Sequence, residues 1–326
     1  MPLLIAEYLG QRTDVDPPQE QITPASTSHI PNCPFMGVAC TKIAQGYKPV
    51  CSVRVQSRYY SGQPFIVCSK RLLPSRMGAL SPYQLKLLNA VAHHLLPGVP
   101  DADVLCRPET GIVLGPGRRL YLDYVIQANP AINYTNGPSK IIMEIQGGGE
   151  TSNTGFITDH VSDWEKKSPP TNVKLRGQVI VPSGKSTPGI IPDNAWKRQL
   201  TQILKKSVLA RHFGGAFALV MGEILFDYVK TNFPNAQAYW PGWEVALIRV
   251  SENTNVTPTA GMPIPIEQVT STLFMTHADF IAALQDFPIE KTVTSPFNGD
   301  FLNLLGSHIQ VDSGTLDLTD GDIQVI

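Results

Sequence analysis

Two apolar runs, Leu120-Tyr121-Leu122-Asp123-Tyr124-Val125-Ile126 and Ile141-Ile142-Met143-Glu144-Ile145-Gln146, constrain this chain more than any other feature, because each sets one carboxylate in a strand-like stretch. Burying an uncompensated carboxylate is costly, so the fold must give Asp123 and Glu144 a cation or a route to solvent. Period-two alternation puts Glu144 and Gln146 on one face of the second run and Ile141, Met143 and Ile145 on the other. Twenty residues intervene between Asp123 and Glu144, enough to turn and return on an adjacent antiparallel strand. The pair is then either two residues at a solvated sheet edge or two hard oxygen donors suited to Mg²⁺.

The surrounding signals predict the elements that frame this pair. Ser81-Pro82 reads as an N-cap followed by proline at the first helical position, with Tyr83, Leu87, Ala90, Val91 and Leu95 along one face. Strands are predicted over 103–114 with a break near Pro108, over 118–127 after the Gly115-Pro116-Gly117 turn, and over 140–146, forming a meander. Asp193 caps a helix to about Phe213, a strand over 217–221 follows, and 243–250 adds another. The order predicts a mixed α/β sheet flanked by helices, with polar loops at one end. Glu109 either joins the metal cluster or caps a turn. The opening residues predict a short helix, 13–34 a proline-bearing loop, and 147–192 a Gly-, Ser-, Pro- and Lys-rich stretch with one short helix over 159–167.

The composition, 42% hydrophobic and 16% charged over 326 residues, is that of a folded chain. No apolar run approaches the roughly 18 residues of a membrane span, and the first ten residues lack a leader pattern, so a cytoplasmic protein is expected. A net charge of −1 excludes a uniformly basic nucleic-acid coat protein. Five acidic residues and no Lys or Arg lie in 300–326, which leaves 26 basic against 22 acidic residues before it, a net +4. The C-terminal stretch 310–326 is either a closing hairpin or a solvated tail.

Four of the five cysteines, Cys33, Cys40, Cys51 and Cys68, fall within the first 70 residues, separated by 6, 10 and 16 residues. This is neither a disulfide framework for a cytosolic chain nor the paired C-x-x-C of common zinc knuckles. They are either small buried hydrophobes or thiolates that staple a small module through a metal. Predicted strands over 50–55 and 64–68 belong to that module, which places a boundary near residue 74 and divides the chain into 1–74 and 75–326. Cys106, on a core strand, reads as packing.

A strand with Asp123, a next strand with Glu144-x-Gln146 and flanking helices resemble the PD-(D/E)XK nuclease core, with Gln146 at the usual lysine and Leu122 in place of the proline before the acid. Further matches are Leu4-Ile5-Ala6-Glu7-Tyr8-Leu9-Gly10-Gln11-Arg12, Cys33-Pro34-Phe35, Val50-Cys51-Ser52-Val53 and Val67-Cys68-Ser69-Lys70-Arg71. With these, about the first half of the chain resembles the NotI-like type II restriction endonucleases. The resemblance implies a PD-(D/E)XK core with an N-terminal four-cysteine module, and Mg²⁺-dependent cleavage of double-stranded DNA leaving 5′-phosphate and 3′-hydroxyl ends. It implies Asp123, Glu144 and Gln146, with Glu109 upstream, as the cleavage site, Asp123 and Glu144 holding Mg²⁺. It also implies one structural iron on Cys33, Cys40, Cys51 and Cys68, where chemistry alone accepts zinc as readily. A homodimer, a palindromic GC-rich site containing GGCC, a prokaryotic cytoplasm and a cognate DNA methyltransferase complete the expectation.

Basic residues that could meet DNA gather at Lys166, Lys167, Lys174, Arg176 and Lys185. Others lie on the helix at Lys197, Arg198, Lys205, Lys206 and Arg211, either as a solvated face or as phosphate contacts. Gly147 to Gly149 allow close backbone approach beside the Glu144 strand, and Arg176 is the expected base reader. The competing expectations are a metal-knuckle DNA-binding protein without cleavage activity and a structure-specific repair nuclease.

Overall fold

Two sheets organise the computed structural model, which describes residues 3–13, 30–55, 62–68, 70–72, 80–147, 192–233, 236–259, 261–281 and 296–311. The smaller sheet is antiparallel, with order β2-β1-β3-β4, built from β1 (Leu3–Tyr8), β2 (Gln11–Arg12), β3 (Val50–Val55) and β4 (Pro64–Ile66). The start of the chain is thus a strand and not the expected helix. Ile5, Ala6, Glu7 and Tyr8 are buried in succession, which a strand covered on both faces satisfies and a one-sided helical stripe does not. Leu9 and Gly10 turn the chain at φ 47 and 70, and a Cβ on Gly10 would lie 2.1 Å from Pro34 Cγ, so only glycine fits. A single helical turn, α1 (Thr41–Ala44), precedes β3.

Helix α2 (Pro82–Leu95) starts at a reciprocal cap. Ser81 Oγ accepts from the Gln84 amide at 3.2 Å, while Gln84 Oε1 accepts from the Ser81 amide at 2.8 Å. Leu87, Leu88, Val91 and Leu95 form its buried stripe.

The larger sheet takes β5 (Val104–Gly115), β6 (Arg118–Ala128), β7 (Lys140–Gln146), β8 (Ala216–Gly222), β9 (Val245–Ser251), β10 (Gln268–Met275), β11 (Gly299–Asn303) and β12 (His308–Val311), in the order β10-β9-β8-β7-β6-β5-β11-β12. Strands β7, β8 and β9 run parallel and the other pairings are antiparallel. A parallel β7–β8 pair needs a crossover, and the chain makes it through α3 (Pro192–His212). Helices α4 (Glu223–Val229) and α5 (His277–Ile281) complete the described elements. The molecule is therefore α/β, a large mixed sheet flanked by helices.

The core lies on both faces of this sheet. One side packs α2 on Cys106, Tyr124, Ile126, Met143 and Ala218; the other packs α3 on Leu122, Val125, Ile142, Phe217 and Leu219. Every residue of β8 is buried, as a central parallel strand covered on both faces requires. Ala6, Ile66 and Leu72 belong to the α2-side cluster, so the core runs across the chain boundary expected near residue 74. Among the described residues no helix is long and apolar enough to cross a membrane. The expected helix over 159–167 and the stretch after 311 lie outside the described residues.

Candidate active site

The β6–β7 ladder runs from Gln127 opposite Lys140 to Tyr124 opposite Met143 and stops one step before Asp123 and Glu144. There Asp123 Oδ2 accepts a hydrogen bond from the Ile145 amide at 2.9 Å, which draws the carboxylate to the end of β7. The same point is irregular on the other side. Pro108 opposes Tyr124 and Thr110 opposes Leu122, while Glu109, at φ 46, sits in the gap across from Asp123. Leu122 and Val125 both join the α3-side core, and Tyr124 joins the opposite one, so strict alternation slips beside Asp123. The break expected near Pro108 is this kink. Glu109 is exposed on it, outside the buried pair.

Glu144 is 4% exposed and hydrogen-bonded to Asp123. Burial pushes Glu144 up to about 8, with the Asp123 carboxylate adding to the rise and Lys206 opposing it. Burial also raises Asp123, against the pull of Lys206, the Ile145 amide and Lys70. The alternation places Glu144 and Gln146 on the face of Ile142, with Ile141 and Met143 in the opposite core, and Gln146 is half-buried.

Lys206 corrects the sequence reading of the basic helix. Its ammonium forms an ion pair with Glu144 Oε2 inside the protein, so it is neither on a solvated face nor against DNA. Ile203, Leu209 and Ala210 are buried in the α3-side core, and position 206 falls on the same helical stripe. A single cation at apolar helical spacing was the signal that could have found it. Lys70 was also missed; it lies in the turn from Cys68 to Arg71, closed by the Arg71 amide on the Cys68 carbonyl at 2.9 Å.

The end of β7 is covered by the small sheet. A Cβ on Gly147 would stand 3.4 Å from both Ile66 Cγ2 and the Ile66 carbonyl oxygen. The small sheet is itself tied down by Arg71, fully buried, whose guanidinium grips Glu7 at 2.6 and 2.7 Å and lies 4.4 Å over the Phe35 ring. Glu7 also accepts from Ser52 Oγ at 2.6 Å and from the Ile264 amide at 2.7 Å. Every carboxylate oxygen thus has a partner.

Cys33, Cys40 and Cys51 share one buried cluster with Phe35 and Met36, and Cys68 packs against it; all are free thiols. Backbone amides aim at the sulfurs, Gly10 N–H at Cys51 Sγ (3.2 Å) and those of Met36 and Phe35 at Cys33. Burial pushes the Cys33 and Cys51 thiols up, with neighbouring cysteines adding to it. Cys106 is buried in the core, and its thiol is pushed up to about 12. Among the described residues, no group of three or more His, Cys, Asp or Glu side chains is arranged to hold a metal ion. The cysteines therefore form a shared thiol cluster and not a closed coordination cage, as neutral sulfurs that pack as small hydrophobes would. The donor chemistry, four clustered sulfurs with amide N–H groups directed at two of them, Cys33 and Cys51, is of the type that iron or zinc accepts. At the other site, two adjoining buried carboxylates offer hard oxygen donors, with the Lys206 ammonium on Glu144, a donor set that fits a hard divalent cation once the acids are ionised.

Of the residues expected to meet DNA, Lys174, Arg176 and Lys185, with Lys166 and Lys167, lie outside the described residues. Lys197 and Arg198 belong to the first turns of α3, and their side chains are not described. Arg211 is exposed and 3.9 Å from Glu244. Comparison with protein-family models and with curated proteins finds no match to this chain.

Proposed function

We propose that this protein is a Mg²⁺-dependent endonuclease that hydrolyses phosphodiester bonds in double-stranded DNA at a specific site. The observation that carries the reading is the meeting of Asp123 and Glu144 where β6 and β7 part, with Gln146 on the same face as Glu144. When bound, Mg²⁺ supplies water activation and charge neutralisation at the phosphate. Asp123 and Glu144 are its ligands, and the Ile145 amide holds Asp123 in place for that task. Gln146 orients the attacking water through its amide, and Glu109 assists from the kink in β5. Being uncharged, Gln146 cannot take the electrostatic role of a lysine, and more of that burden falls on the metal.

The resemblance to NotI-like enzymes supports the finer assignment: a type II restriction endonuclease of the PD-(D/E)XK class that leaves 5′-phosphate and 3′-hydroxyl ends. Its site is palindromic, GC-rich and contains GGCC, read by a homodimer in which each subunit cuts one strand. A cognate methyltransferase protects the same sequence. Cys33, Cys40, Cys51 and Cys68 hold one structural iron or zinc, a role supported by their shared cluster and the amide donors around them.

The test is digestion of long genomic duplex DNA with Mg²⁺. Discrete bands that vanish with EDTA, and fragment ends of a single sequence, are the expected result. Glu144→Ala abolishes cutting and keeps DNA binding. Cleavage confined to branched DNA identifies a structure-specific nuclease instead, and intact duplex at every Mg²⁺ concentration sinks the proposal.

A further inference from the structure

We propose that Lys206 is a positioning residue that supplies, from α3, the positive charge missing at the end of β7, where Gln146 stands. This rests on the nuclease reading and deepens it. The ammonium pairs with Glu144 Oε2, and the two side chains are only 3% and 5% exposed. A lysine usually buries its stem and keeps its head in water; here the head is inside, on the stripe that also carries Ile203, Leu209 and Ala210. Packing does not account for it, because a buried ion pair is commonly no more stabilising than an apolar pair of the same volume.

The charge at the carboxylates does account for it. In the metal-competent state, with both acids ionised, Asp123 and Glu144 carry −2, and the Lys206 ammonium on Glu144 reduces this to −1. A bound divalent ion then brings the site to +1, where without Lys206 it would reach only neutrality. The phosphodiester carries one negative charge in the ground state and more as water attacks, so a residual positive site favours the transition state over the bound substrate. Lys206 acts on the reacting phosphate through Glu144 and the field at the site, without touching the substrate.

Two variants test this. Lys206→Met removes the charge at similar length, and Lys206→Gln keeps a donor for Glu144 should the Met protein fail to fold. Each is measured for single-turnover cleavage with Mg²⁺, for DNA affinity without divalent ions, and for Mn²⁺ affinity by electron paramagnetic resonance. Cleavage falls on the order of 100-fold with DNA affinity near that of the wild type. Mn²⁺ binds several-fold tighter, because it no longer competes with the ammonium for Glu144. Adding Gln146→Lys to either variant returns an ammonium to the Glu144 face and restores cleavage. Wild-type cleavage in a folded variant, or a loss with unchanged Mn²⁺ affinity and no rescue, overturns the assignment. Should the wild-type protein leave duplex DNA intact, the nuclease reading fails. The Mn²⁺ titration then decides alone, and weaker or unchanged binding by Lys206→Gln refutes the charge role.

Discussion

The acid at position 144 couples protonation to folding. In the unfolded chain it titrates in the ordinary carboxylate range, near 4.5, and in the folded protein burial carries it up to about 8. The folded state therefore binds the extra proton. Its stabilising contribution is full below about pH 4.5, declines as pH rises and is gone past about 8. Thermal melting in EDTA should show a Tm that falls between pH 6 and pH 9, and Glu144→Gln, which has no proton to lose, should flatten that fall. The pair Asp123 and Glu144 was legible in the sequence because both acids interrupt apolar strands that are neighbours in the chain. Lys206 and Lys70 were not. Lys206 reaches Glu144 across 62 residues, and no local spacing records a partner that the crossover through α3 brings back.

Elements announced by local chemistry came through with little change. The Gln146 strand, the glycine turn between β5 and β6, the break near Pro108 and the capped α2 all have signals within a few residues of themselves. Replacing Ser81 by Ala removes one half of the reciprocal cap, and chemical denaturation should show a loss of about 1 kcal/mol. Elements without such signals were misread or missed. Strand β1 stands where the sequence predicts a short helix, because its four buried residues in a row, one of them Glu7, follow neither period. Strands β10, β11 and β12 went unassigned. Gln268–Met275 mixes exposed Gln268 and Thr270 with a buried end, and its place at the sheet edge comes only from pairing with β9.

At the scale of the molecule, the small sheet and the large one share a core through Ala6, Ile66 and Leu72, and Glu7 joins three separate segments through Arg71, Ser52 and the Ile264 amide. Glu7→Ala leaves a buried guanidinium without its carboxylate, which costs about 3–5 kcal/mol. Because the core is continuous, that loss should appear in calorimetry as one transition moved to lower temperature. Two separate transitions would show that the first 72 residues fold apart from the rest. The boundary expected near residue 74 follows from where the cysteine-bearing strands end, and such local signals do not record which side chains pack across it. The turn from Cys68 to Arg71 has a consequence of its own. Three peptide units connect a sulfur of the thiol cluster, a lysine felt by Asp123 and a buried guanidinium, and both ends of this turn are held, Cys68 by its amide on the Cys51 carbonyl at 3.1 Å and Arg71 by Glu7. Alkylating Cys68 should therefore be felt at Asp123 through Lys70, and a cleavage rate unchanged by the modification would show that the two ends are uncoupled.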